Sequence, residues 1–273
     1  MDDTVGQWSI EKLALLKRYL GAYVNILRKA SWCSGYEYID GFAGTGRPLS
    51  RDEHDYVSGS PRVALELDYP FTEYHFIELT EWRMHELQKL RREFTDRRIT
   101  IYQDDCNKTL QQYIIPRLPY QSRKRAIAFL DPFGMQLRWQ TLKMAAETRT
   151  IEVFLNLPVM AINRNVRRKH PEMISPSAKA AMDELWGADW MAEIYETVPN
   201  LFGEEEETRI KQSGKDLGRR FRDRLRQIFT YCADPLVMKN SRGAPLYCLI
   251  FAGNNETGAK IAGEIFSKYE RMA

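Results

Sequence analysis

Five apolar runs, each followed by a stretch of different periodicity, organise the first 158 of the 273 residues: "YEYID" (36–40), "EYHFIEL" (73–79), "RITIYQDD" (98–105), "RAIAFLDPFG" (125–134) and "IEVFLNLP" (151–158). Strands alternating with helices predict a mostly parallel sheet covered on both faces. The fourth run is apolar on both faces, as a central strand must be. Ahead of it, "SIEKLALLKRYLGAYVNILRKA" (9–30) carries Leu13, Leu16, Leu20, Val24 and Leu27 on one stripe, with Ser9 as the expected cap. "SPRVALELD" predicts a helix with Ser60 at the N-cap and Pro61 in its first turn, "TEWRMHELQKLRREF" one capped by Thr80, and "NKTLQQYIIPRL" one broken at Pro116. The expected organisation is a single α/β domain: an N-terminal helix (9–30), a Rossmann-like core (36–158), a helical insertion capping the sheet edge (159–214), and a closing segment (215–273). That last segment reads as a helix in "LGRRFRDRLRQIFTYC", an antiparallel pair "PLVMKN" and "PLYCLIFAGN" around "SRG", and a terminal helix.

Charge and cysteine usage narrow the function classes. The net charge of +3 does not by itself call for a nucleic-acid partner, but "NRNVRRKH" (163–170) follows the fifth strand directly. The clusters at 89–98, 121–125 and 218–226 and the acidic run "GEEEE" (203–207) read as solvated faces. Cys33, Cys106, Cys232 and Cys248 are too scattered for a metal-ligand spacing, so no metal is expected and the thiols read as reduced. No apolar run reaches the roughly 20 residues of a membrane span, and the N-terminus lacks a signal-peptide core, so no membrane role and a cytoplasmic location are expected.

The chemistry is concentrated in "YIDGFAGTGRP" (38–48), which places Gly41, Gly44 and Gly46 just beyond Asp40. A phosphate-binding loop needs Lys and Ser or Thr after its last glycine, and here Arg47 and Pro48 follow. The dinucleotide fingerprint opens directly into a helix, whereas this loop runs on for about a dozen residues. The pattern D-x-F-x-G-x-G, with Phe42 between the first glycines, resembles motif I of class I S-adenosylmethionine-dependent methyltransferases. Ligands of open parallel sheets sit at the carboxyl ends of strands. There this chain sets Glu78, then Asp104 and Asp105, then Asp131-Pro132-Phe133-Gly134. Acids at four successive strand ends favour a nucleoside-containing ligand.

By that resemblance Asp40 meets the cofactor's ammonium directly or through water, Gly41, Phe42, Gly44 and Gly46 line its methionine part, and Glu78 accepts the ribose hydroxyls. Asp104 and Asp105 face the adenine amine. "DPFG" is similar to the [DN]-P-P-[YF] motif of amino-methyltransferases, in which the acid and the first proline carbonyl hold the target amine and an aromatic stacks on the flipped base. Asp131, Pro132 and Phe133 carry those roles by resemblance, although Phe133 stands where the motif has its second proline and Gly134 where it has its aromatic.

Over nearly the whole chain, "YLGAY", "YIDGFAGTG", "SGSPRVALEL", "FLDPFG", "VFLNLPVMAINRN", "LWGADW" and "IFAGNNETGAKIAGEIF" resemble the three-Cys-motif partner protein family (TcmP). The resemblance implies a methyltransferase-like Rossmann fold, S-adenosylmethionine as cofactor, and a partner protein with a three-cysteine motif. Two functions from different classes follow. One is methyl transfer to a nitrogen of a nucleic acid or nucleotide, with Asn156 assisting at the rim and Asn163, Arg164, Arg167 and Arg168 reaching phosphates. The other is a non-catalytic module that binds the nucleoside and the partner. A metal-dependent hydrolase using Asp104, Asp105 and Asp131 ranks last, because those strand ends do not converge.

Overall fold

A computed structural model describes residues 4–50, 56–187, 190–199, 205–211, 213–240 and 242–272. The loop beyond Ser50, the acidic run, "LWGADW" and the "SRG" turn therefore lie partly outside the described residues. Apart from a two-stranded parallel pair of Thr4–Val5 with Leu49–Ser50, the chain runs α1 (Gln7–Leu27), then β1 (Gly35–Asp40), α2 (Ser60–Leu65), β2 (Glu73–Ile77), α3 (Glu81–Glu93) and β3 (Ile99–Tyr102). A helical stretch from Cys106, widened at Leu110–Ile114 and tightened at Ile115–Arg117 by Pro116, leads to β4 (Lys124–Leu130), α4 (Trp139–Thr148) and β5 (Ile151–Leu157). Next come α5 (Val159–Asn165), α6 (Pro176–Trp186), α7 (Trp190–Ile194), β6 (Tyr195–Pro199) and β7 (Glu205–Arg209). Finally α8 (Gly214–Leu225), β8 (Tyr231–Cys232), β9 (Leu236–Lys239), β10 (Pro245–Gly253) and α9 (Glu256–Met272) close the chain.

The central sheet runs β3–β2–β1–β4–β5–β10, and both β9 and β8 pair with β10. The first five strands are mutually parallel, and β10 is reversed against β5. Because side chains alternate along a strand, the sheet has two unlike faces. Tyr38, Phe76, Phe129, Phe154 and Phe251 form an aromatic face against α1, α2, α3 and α9. Ile39, Ala128, Leu130, Val153, Leu155 and Ile250 form an aliphatic face against α4, α5, α6 and α8. The stripe expected on α1 is buried in the aromatic layer throughout.

Some local expectations fail for identifiable reasons. Gly6 is the N-cap of α1, and Ser9 lies inside the first turn, buried, its N–H donating to the Gly6 carbonyl (2.9 Å). The helix starts early because Trp8 stacks on Tyr247 with ring centroids 4.8 Å apart. Gly59, not Ser60, caps α2, and Thr80 caps α3 by position without a side-chain bond. The expected helical insertion contains an antiparallel hairpin, β6 with β7. The β-branched Thr197 and Val198 before Pro199 favour extended backbone there. The segment 217–232 is helical only to Leu225, after which Tyr231–Cys232 joins the sheet.

Glu152 on β5 is buried under the aromatic layer and accepts a bond from the Tyr19 hydroxyl (2.6 Å). Burial pushes its carboxyl up to about 7. The folded chain then keeps a proton that the unfolded chain loses near pH 4.5, so stability falls as pH rises from there to about 7. Replacement by Gln removes this loss. Urea unfolding should show Glu152→Gln close to the parent at pH 5 and more stable by on the order of 2–3 kcal/mol at pH 8.

Candidate functional site

The sheet reverses its strand order at β1, between β2 and β4, and the glycine loop crosses the carboxyl ends of these strands. Three different constraints set its glycines. A Cβ at Gly41 would lie 2.6 Å from Leu130 and 2.8 Å from the Cys106 sulfur, so close backbone packing excludes a side chain. Gly44 and Gly46 have φ of +62° and +70°, a region where L-residues are strained. At Gly46 an added Cβ would also meet Leu90 at 2.7 Å. The loop is thus pressed onto the sheet and α3, with Phe42 half-buried against the aliphatic layer.

Two acids brace this loop. Asp40 is fully buried, and its carboxylate accepts from the Tyr38 hydroxyl (3.0 Å) and the Phe42 N–H (3.4 Å). Burial raises it to about 7, with neighbouring Asp131 adding to the shift. Glu78 accepts from the Gly44 N–H (3.1 Å) and the Thr80 N–H (2.8 Å), tying the loop to the end of β2. Asp104 and Asp105 serve local ends. Asp104 pairs with Lys108 (2.6 Å), which lowers its pKa, while Asp105 accepts from the Lys108 N–H as the cap of the helical turn at Cys106.

Beyond β4 and β5 lies a tighter cluster. Asp131 forms an ion pair with Lys12 of α1, and its Oδ1 accepts from Asn156 Nδ2 (2.6 Å). Lys12 is almost completely buried, with its ammonium 4.9 Å from the Trp8 ring centre and 5.9 Å from that of Tyr247. Asn156 is fully buried, and its Oδ1 has no hydrogen-bond partner. Its amide cannot be turned the other way without setting that oxygen against the Asp131 carboxylate. The rim therefore presents an unused acceptor beside a paired acid. Sequence reasoning missed Lys12, although a signal existed: Lys12, Leu16, Tyr19 and Tyr23 recur at helical spacing and are all buried.

Pro132 is buried, but Phe133 is 63% exposed, its N–H bonded to Gln136 Oε1 (3.1 Å). The Arg83 guanidinium lies 4.9 Å from the Phe133 ring centre and 5.4 Å from that of Trp82. Arg164 and Arg168 are exposed on the segment leaving β5, whereas Arg167 turns inward. It donates to Asn163 Oδ1 (2.6 Å) and the Ile210 carbonyl (3.4 Å), so Asn163 and Arg167 hold the segment together and do not reach outward. Burial pushes the Cys232 and Cys248 thiols up to about 12 and holds the Cys106 thiol well above its ordinary value, which leaves these sulfurs inert as nucleophiles. Glu37, Glu73 and His75 also cluster, at the opposite ends of β1 and β2, but the Lys124 ammonium already bonds Glu37 (2.6 Å).

A parallel 3-2-1-4-5 sheet extended by a reversed strand, with a glycine loop at the switch point, defines the Rossmann-like fold of class I methyltransferases. A Legionella pneumophila protein of the DUF519 family is similar to this chain over 96% of its residues and 92% of that protein's own, at 14% identity and a TM-score of 0.56. An rRNA methylase from Streptococcus thermophilus is similar over 88% of this chain and 95% of its own (9% identity, TM-score 0.39). An S-adenosylmethionine-dependent methyltransferase from Clostridium acetobutylicum covers 88% and 92% (9% identity, TM-score 0.38). At 14% identity the Legionella protein shares fold with this chain, over nearly the whole of both. No family model matches the sequence. No curated protein matches it either. No helix among the described residues is long and apolar enough to cross a membrane.

The two kinds of acid at this rim separate experimentally. Asp40→Ala leaves the Phe42 N–H and the Tyr38 hydroxyl without their acceptor and should cost about 1–3 kcal/mol in urea unfolding. Asp104→Ala, which breaks an exposed pair with Lys108 and a bond from the Asp105 N–H (2.8 Å), should lower the urea midpoint far less than Asp40→Ala does.

Proposed function

We propose that this chain is an S-adenosylmethionine-dependent methyltransferase that acts on a nitrogen of a nucleic acid or nucleotide. The observation that carries the reading is Asn156 Oδ1, a buried acceptor with no partner, held beside the Asp131 carboxylate at the rim crossed by the glycine loop. An amine in line for alkylation has hydrogens to donate and one lone pair to aim. Convergent acceptors fix the hydrogens and so orient the lone pair. Asn156 Oδ1, Asp131 and the Pro132 carbonyl form that set, and Phe133 offers its exposed face to a flipped base.

S-adenosylmethionine would supply the electrophilic methyl group. The residues that fit it are Gly41, Phe42, Gly44 and Gly46 in the loop, Asp40 beneath the loop, and Glu78 at the end of β2, with Asp104 and Asp105 toward the adenine. Asp40 is enclosed, so its part is to hold the loop and to meet the ammonium through water. Lys12 compensates the Asp131 charge while leaving Oδ1 on Asn156. Asp131 would accept the proton that the alkylated amine sheds. Arg164 and Arg168 would meet phosphates, while Asn163 and Arg167 position the segment that carries them.

The resemblance to the three-Cys-motif partner family adds a partner protein with that motif. Exposed Leu79 and Trp82, the latter sharing the Arg83 guanidinium with Phe133, provide apolar surface for it. A cytoplasmic site of action, in keeping with four unpaired thiols, belongs to the same proposal. The second reading, a non-catalytic binding module, is favoured by one observation: Asp131 is already charge-compensated by Lys12.

Calorimetric titration with S-adenosylmethionine and S-adenosylhomocysteine tests the cofactor site. Micromolar binding weakened tenfold or more, about 1.4 kcal/mol, by Glu78→Ala is expected. Asn156→Ala should leave that binding within about twofold while lowering methyl transfer to an oligonucleotide by at least tenfold. No binding up to millimolar concentration would overturn the stand-alone enzyme, and transfer seen only after a three-Cys-motif protein is added would favour the module.

A further inference from the structure

At the opposite end of the sheet, about 20 Å from Asp131 along β4, α1 and α9 line a cavity of about 570 Å³. We propose that this cavity is a second ligand site, for a nucleoside monophosphate whose base carries an amino group beside a ring nitrogen, as adenine and cytosine do. The inference is independent of the methyl-transfer reading.

Two buried polar groups of the cavity are not fully used within the protein. Tyr23 is buried on α1, and its hydroxyl has no hydrogen-bond partner. A buried hydroxyl left unbonded is unfavourable, and Phe would fill the same space. Next to it, Glu152 is buried with one oxygen on Tyr19. As a carboxylic acid it presents a donor and an acceptor side by side. That pair is complementary to an amine next to an unprotonated ring nitrogen, and burial keeps the acid form populated near neutrality. Tyr23 adds a third polar contact at the same depth.

The opening has the opposite character. Arg125 lines it with its guanidinium 4.5 Å from the ring centre of Trp32 and 5.2 Å from that of Tyr120. Its Nη1 donates to the Lys124 carbonyl (2.7 Å), which fixes the group in place. Trp32 and Tyr120 are 47% and 58% exposed, large apolar surfaces left open to solvent around a held cation. Arg149 lines the same opening, as the left-handed C-cap of α4 (φ +57°). Two arginines at the mouth and a neutral polar pair on the floor match a molecule with an anion at one end and a hydrogen-bonding ring edge at the other. The volume lies within the ordinary range of a small-molecule site.

The test is calorimetry of the full chain with AMP, with adenosine and inorganic phosphate as separate titrants, repeated on Tyr23→Phe, Arg125→Ala and Glu78→Ala. AMP should bind at micromolar concentration, and both cavity variants should weaken it tenfold or more. Adenosine and phosphate should each bind at least tenfold more weakly than AMP, and Glu78→Ala should leave AMP binding within twofold. Tyr23→Phe should unfold at or above the parent's temperature, which shows that its binding defect is not misfolding. Any of four results overturns the proposal: no AMP binding up to millimolar, binding lost in Glu78→Ala but kept in Arg125→Ala, adenosine equal to AMP, or a Tyr23→Phe variant that melts lower because the hydroxyl is bonded within the protein.

Discussion

The burial of one strongly aromatic sheet face against α1 is the constraint from which both polar sites follow. Tyr38, Phe129, Phe154 and Phe251 need a long apolar partner, and α1 supplies Leu16, Tyr19, Leu20 and Val24 at helical spacing. Tyr19 lies 5.1 Å from Phe251 and 5.6 Å from Phe154, ring centre to ring centre, and these contacts fix the helix along the sheet. Once it is so placed, two polar residues on the same stripe reach partners on or just beyond the strands. Lys12 finds Asp131 beyond the end of β4, and Tyr19 finds Glu152 near the start of β5. A single helix therefore serves the two ends of the sheet.

The glycine loop illustrates how one motif combines reasons of different kinds. Gly41 is excluded from carrying a side chain by Leu130 and Cys106, which is a packing reason. Gly44 and Gly46 turn through positive φ, which is a conformational one. Glu78 then fastens the turned loop through the Gly44 N–H, and Asp40 fastens its beginning through the Phe42 N–H. The loop is held in shape by the protein's own acids, so a ligand would meet a formed surface and incur little ordering cost.

Much of this was legible in the sequence because strand–helix alternation and the glycine pattern are local signals. The five parallel strands, the antiparallel closing pair and the buried stripe of α1 all follow from periodicity. The Asp131–Asn156 pairing could be anticipated as two strand-end residues, since β4 and β5 are neighbours. The Lys12 contact could not, because it spans 119 positions and depends on where a whole helix is laid down. Arg167 was misjudged for a related reason: its charge suggests an outward side chain, whereas Asn163 and the Ile210 carbonyl draw it in. The β6–β7 hairpin was obscured because glutamate-rich segments usually score as helix, and pairing between two strands overrode that preference.

The reversed strand β10 and the helix α1 together bear on how little of this chain could stand as a separate fragment. The span 36–158 contains every motif that first suggests a nucleoside ligand. Cut out alone, it would keep Asp131 and Glu152 but lose the ammonium of Lys12 and the phenol of Tyr19 that satisfy them. It would also expose β5, now a sheet edge of seven buried residues, along the line where β10 pairs with it. An apolar edge of that length is a template for self-association, so the excised core would be expected to aggregate before it could bind anything. The terminal segments, which carry none of the loop glycines or strand-end acids, thus cover the surfaces and satisfy the buried acids that the core would otherwise leave open.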